Sequence, residues 1–113
     1  MQKIFSMSYN VKSHPSFERQ AKRLIKKLPS LKEEIYKLIQ SLKVEPAQGI
    51  SIGYSCYKIR LAIASKGRGK SGGTRIITHL HIVQTTVYLL SIYDKSEQSN
   101  IADKELKELL KFL

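Results

Sequence analysis

Lys58, Arg60, Arg75, His79 and Tyr93, with Lys66, Arg68 and Lys70 among them, are the residues of this chain best equipped for chemistry. No Asp or Glu stands between Glu45 and Asp94, so the positive charges of that stretch have no counter-ion of their own. Cations gathered in this way repel one another unless an external polyanion supplies the missing charge. The same gap leaves too few ligands for paired-carboxylate hydrolysis or two-metal phosphoryl transfer. Catalysis here would run on Lys, Arg, His and Tyr. Such groups suit cleavage of RNA by its own 2′-hydroxyl. A base takes the 2′ proton, cations stabilise the phosphorane, and an acid protonates the departing 5′-oxygen. A lysine set among other cations has its charged form disfavoured, which moves it toward use as a base.

The whole chain bounds this chemistry. Its 113 residues suffice for one domain, taken as 1–113, and the 42% hydrophobic content is enough for a folded core. Twenty basic against 9 acidic residues give a net charge of +11, which makes nucleic acid the leading partner class. No apolar run approaches the roughly 20 residues of a membrane span, and the first residues lack a secretory pattern. A cytoplasmic location with no membrane partner is therefore expected. Cys56 is the single cysteine and reads as a small buried thiol at the start of a strand, with no disulfide available to it.

Strands and helices must position these groups. Residues 1 to 11 alternate weakly and predict a first strand. Ser13 as cap and Pro15 in the first turn predict a helix, with Phe17, Ala21, Leu24, Ile25 and Leu28 on its apolar face. Leu28-Pro29-Ser30 interrupts it. Ser30 and Glu33 form a capping-box pattern for a second helix carrying Leu31, Ile35, Leu38, Ile39 and Leu42, so the pair should fold back as an αα-hairpin. Phe17 and Tyr36 are assigned to this helical layer.

Alternation then predicts three strands, about Cys56 to Ala64, Thr74 to Val83 and Val87 to Tyr93. Their phases give Ile59, Leu61, Ile76, Thr78, Leu80, Tyr88, Leu90 and Ile92 to the helices. Lys58, Arg60, Arg75, His79, His81, Ser91 and Tyr93 fall on the opposite face as candidates for one site. A last helix is expected with Asn100 as cap and Leu106, Leu109, Leu110 and Leu113 as its stripe. The fold class is α+β: an N-terminal strand, an αα-hairpin, an antiparallel three-stranded meander and a C-terminal helix, with the helices on one sheet face.

Gly67-Arg68-Gly69-Lys70-Ser71-Gly72-Gly73 contains Gly-Lys-Ser, yet it is not a phosphate loop. The first glycine of that motif would fall at Ala64, and the segment enters a strand rather than a helix. Its glycine amides with Arg68 and Lys70 suit a phosphate backbone, and Lys66 lies beside them. His79 and His81 have an i, i+2 spacing, but no third ligand lies near in sequence, so no metal is expected. His79 is the better acid-base candidate of the two, and with Lys66, Arg68 and Lys70 it is a candidate for RNA and phosphate binding.

Three segments carry a family resemblance: Cys56-Tyr57-Lys58-Ile59-Arg60-Leu61, Ala64 through Ile77 with the glycine-rich stretch, and Tyr88 through Glu97. With the order of elements, they resemble the RelE/ParE superfamily of toxins from type II toxin-antitoxin modules, and look most like its HigB-type branch. The resemblance implies a ribosome-dependent mRNA interferase that cuts the codon in the A site, without a cofactor, and that is held inactive by a cognate antitoxin. By the same resemblance, Lys58 and Arg60 match the paired basic residues of the second strand, and Arg75 the phosphate-binding arginine of the third. Tyr93 and Lys95 stand where the family places an acid or a base-stacking group. RelE carries a further arginine after that strand and a tyrosine in its terminal segment, where this chain has Ser96 and Ala102. The alternatives are a ParE-like gyrase-inhibiting toxin without nuclease activity and a non-catalytic basic nucleic-acid-binding domain.

Overall fold

The computed structural model describes residues 8–61 and 73–113. Their elements are β1 (Asn10–Ser13), α1 (Pro15–Lys27), α2 (Leu31–Val44), β2 (Ile50–Gly53), β3 (Cys56–Leu61), β4 (Thr74–His81), β5 (Thr86–Asp94) and α3 (Asp103–Leu110). The strands form one sheet in the order β1-β5-β4-β3-β2, in which β1 runs parallel to β5 and the other pairs are antiparallel. The α+β class and the helix-hairpin order agree with the sequence. Lys66, Arg68 and Lys70 lie outside the described residues, as do Ala62, Ala64 and most of the expected first strand.

Two apolar clusters lie on opposite sides of the sheet. Phe17, Ala21 and Leu24 of α1 and Leu31, Ile35, Leu38 and Leu42 of α2 pack on Ile59, Leu61, Ile76, Val87, Leu89 and Ile92. On the other side, Leu106 and Leu109 of α3 pack on Cys56, Ile77, Leu90 and Tyr93. This corrects the expectation that all helices share one face: α3 covers the face that carries the cations. Leucines at positions 106 and 109 need an apolar floor, and Ile77 and Leu90 supply it.

Several local expectations also change. The N-cap of α1 is His14, whose Nδ1 accepts the Ser16 N–H at 2.9 Å, while the Ser13 hydroxyl donates to Glu18. Ser30 is the N-cap of α2 from an αR backbone, and its side chain makes no cap bond. The N-cap of α3 is Ala102 rather than Asn100, and Leu113 lies beyond the helix. Tyr36 points outward and is 63% exposed, outside the helical core.

The sequence periodicity does not predict β2. It joins β3 through Tyr54 and Ser55, whose φ values of 57° and 58° give the left-handed pair of a type I′ hairpin turn. Before it, Gly49 has φ 97°, and a Cβ there would run into the Lys58 carbonyl oxygen, so only glycine fits.

β5 also departs from the expected alternation. Ile77 pairs with Ser91 but Thr78 pairs with Leu89, so Leu90 is an extra residue in a β-bulge. Val87 and Leu89 therefore face the helices together with Ile92, while Leu90 and Tyr93 face α3. The Oε1 of Gln20 on α1 fills the gap in the ladder, accepting from Ser91 Oγ at 3.1 Å and from the Ile92 N–H at 3.0 Å. Ser91 is thus engaged with a helix residue and does not join the cationic group.

Candidate active site

Register builds the site. Arg60 pairs with Arg75 across β3 and β4, and Arg75 pairs with Tyr93 across β4 and β5, so the three share one row. Lys58 stands opposite Ile77, two residues along β3 and on the same face. Lys58, Arg60, Arg75 and Tyr93 are thus brought together on the face opposite α1 and α2.

They differ in depth. Arg60 is exposed and Lys58 half-buried, and both border an open cavity of about 370 Å³ lined also by Gln48, Gly49, Ile50 and Ile59. Arg75 and Tyr93 are each only 3% exposed. Arg75 Nη1 donates to the Gly73 carbonyl at 3.2 Å, and the same oxygen accepts the Lys95 N–H at 3.2 Å. One carbonyl at the entrance to β4 therefore ties the buried guanidinium to the turn bearing Lys95, whose side chain is exposed.

The Tyr93 hydroxyl is buried and has no hydrogen-bond partner among the described residues. Burial raises its pKa, against the opposing field of Arg75 and with a smaller push from Glu105 of α3. The phenol therefore holds its proton at neutral pH, as an acid must before it donates.

The turn after β5 is braced from two sides. Asp94 Oδ1 accepts from Ser96 N and Ser96 Oγ, both at 3.0 Å. Glu97 receives Arg23 at 2.8 Å and Lys27 at 2.9 Å, one turn apart on α1, and these hydrogen bonds hold its carboxyl at about 2. Neither Gln20 nor Glu97 was singled out in the sequence, since a partner some 70 residues away leaves no local pattern.

His79 lies on the same face but farther along β4, opposite Cys56. The Cys56 thiol is fully buried, and burial pushes its pKa up to about 11, so it is not a nucleophile at neutral pH. Among the described residues, no group of three or more His, Cys, Asp or Glu side chains is placed to hold a metal ion. Among them too, no helix is long and apolar enough to cross a membrane.

Residues 11–112 match the family model described as the RelE toxin of the RelE/RelB toxin-antitoxin system. The chain belongs to the RelE toxin family. Solved RelE-type structures have the same fold. A free-state Escherichia coli RelE carrying two arginine-to-alanine changes superposes with a TM-score of 0.56 at 18% identity, covering 95% of this chain and 99% of that one. A RelB–RelE toxin-antitoxin complex from Mycobacterium tuberculosis gives 0.58 at 16% identity, over 78% of this chain and 92% of that one. A metal-bound toxin from Helicobacter pylori gives 0.51 at 16% identity, over 80% and 98%. This RelE-family toxin thus shares their architecture at low identity, and its site must be argued from its own residues.

Proposed function

We propose that this toxin is a metal-independent endoribonuclease that cuts mRNA in the ribosomal A site and is neutralised by a cognate antitoxin. The observation that carries this reading is the cross-strand row Arg60–Arg75–Tyr93 with Lys58 beside it, built without a carboxylate on β3 or β4. Lys58, at the rim of the open cavity, takes the 2′-hydroxyl proton. The 2′-oxygen then attacks phosphorus. Arg60 and Arg75 stabilise the phosphorane charge. The P–O5′ bond breaks as Tyr93, or Lys95 from the adjoining turn, protonates the leaving oxygen. The products are a 2′,3′-cyclic phosphate and a 5′-hydroxyl. Because Arg75 and Tyr93 are both buried, the phenol under α3, the two reach a substrate only when their cover gives way.

The deciding experiment is a purified translation reaction with defined mRNA, followed by mapping of the new ends. Codon-dependent cuts that need ribosomes support the reading. DNA breaks made with gyrase, without RNA cuts, would replace it with the gyrase-directed one. Binding of RNA with neither kind of cut would leave a basic binding domain.

A further inference from the structure

The face that carries Arg75 holds a second group of polar rings that the proposed cleavage does not use. His79 follows Arg75 by four residues on β4, roughly 13 Å farther along the same face at the usual rise of a strand. Its ring stacks on Tyr88, with centroids 6.4 Å apart and planes 29° apart. It meets His81 edge to face at 6.2 Å. A hollow of about 240 Å³ opens beside them, lined by Ser55, His79, Leu80, His81, Ile82 and Val83. Ile82 and Val83 are 70% and 89% exposed, so apolar surface flanks the hollow.

Hydrogen bonds fix the tautomer of each imidazole. Nδ1 of His79 lies 3.0 Å from the Tyr54 carbonyl oxygen, and a carbonyl only accepts, so that nitrogen carries the proton. Nε2 of His79 is left as an acceptor. The roles are reversed in His81, whose Nδ1 accepts the Gln84 N–H at 3.2 Å and whose Nε2–H remains a donor. Burial lowers the pKa of His79, only partly offset by its bond to Tyr54, which keeps the ring neutral at pH 7. A phosphate offers acceptors alone and would meet an acceptor in Nε2 of His79. An unstacked base offers a donor and an acceptor on its edge and an apolar face for the rings and aliphatic side chains.

We infer that the hollow beside His79 and His81 is a nucleobase subsite, in which the edge of a substrate base away from the scissile phosphate is held by Nε2 of His79 and Nε2–H of His81. This rests on RNA being the substrate, and it gives His79 a base rather than a phosphate to recognise.

Two measurements on the full chain test it. In the purified translation reaction, cut positions are mapped for the unaltered protein, His79→Phe and His81→Phe, which keep a ring and remove its nitrogens. Each variant redistributes the cuts, changing the relative use of individual codons by about fivefold or more, as expected for loss of a base-edge contact. A uniform loss at every codon, or an unchanged pattern, overturns the subsite. In parallel, the imidazole NMR signals of the unaltered protein are followed during titration with the RNA trinucleotides ApApA, CpCpC, GpGpG and UpUpU. Shifts at His79 and His81 that differ between bases support the subsite, whereas equal shifts or none overturn it. Absence of any cutting by the unaltered protein refutes the cleavage reading alone, and the titration then decides the subsite.

Discussion

Arg75 and Tyr93 are direct cross-strand partners, both are buried, and Tyr93 packs with Leu106 and Leu109 of α3. A protonated phenol whose buried hydroxyl has no hydrogen-bond partner among the described residues costs stability, and such a cost is informative where function is sought. Removing the hydroxyl should separate the two. Tyr93→Phe is expected to raise unfolding free energy by about 1 kcal/mol, because an unsatisfied buried donor disappears. Cutting should fall about 100-fold if the phenol is the acid. Urea unfolding and end-mapping of mRNA on the same preparation check both directions.

Arg75→Lys keeps the charge but loses the planar fork that reaches two oxygens at once. A fall of about 100-fold in cutting is expected, with ribosome binding largely retained. Lys26→Ala, on the outer side of α1, serves as the comparison and should cut normally. Equal losses of binding in the two variants, without a selective loss of cutting, would mark a non-catalytic binder.

Gly49 occupies a left-handed backbone against the Lys58 carbonyl. Gly49→Ala should therefore destabilise the chain by about 1–3 kcal/mol, from strain and from displacement of β3. The midpoint of chemical unfolding measures it. A variant as stable as the parent would contradict the close approach at the rim of the candidate site.

The Glu97 carboxyl is held at about 2, against an ordinary 4.5, by Arg23 and Lys27. A depressed folded-state value means that its stabilising contribution is full above about pH 4.5 and is lost as pH falls toward 2. These are solvent-screened surface pairs, so Glu97→Gln should lower the melting temperature by a few degrees at most at neutral pH. The difference between the two proteins should close between pH 4.5 and 2. A gap that persisted at pH 2 would show that the effect is not ionic.

Cys56 should resist alkylation. With the thiol buried and its pKa near 11, iodoacetamide at pH 8 should label the folded protein far more slowly than the urea-unfolded chain. Mass spectrometry at timed points reads the ratio, and rapid labelling of the folded form would place the thiol at the surface.

Much of this arrangement was legible because it follows from periodicity. Ile59 against Lys58 and Arg60, and Ile76 against Arg75, set the faces of β3 and β4 correctly, since both strands alternate without interruption. Val87 through Leu90 lie on the faces opposite to those expected because a bulge leaves no mark on composition: Leu90 is as apolar as the Leu89 before it. The side of the sheet that α3 covers is not legible, because its stripe of Leu106 and Leu109 says that it packs, not on which face. The strand β2 is four residues long at the sheet edge, and its turn uses Tyr54 and Ser55 where glycine or asparagine would have announced it. Lys66, Arg68 and Lys70 fall outside the described residues, so their expected phosphate contacts remain a proposal.

The excess residue in β5 leaves that strand two ways to lie against β4. In the straight setting, continued from Thr78 and Leu89, Ile92 would come opposite Arg75 and the phenol would turn toward the helical layer. The carboxamide of Gln20, lodged against Ser91 and Ile92, acts as the pin that selects the other setting. A change on α1, distant in sequence from every charged group of the candidate site, would thus free a one-step slide that takes Tyr93 away from Arg75 while the composition of the strand stays the same.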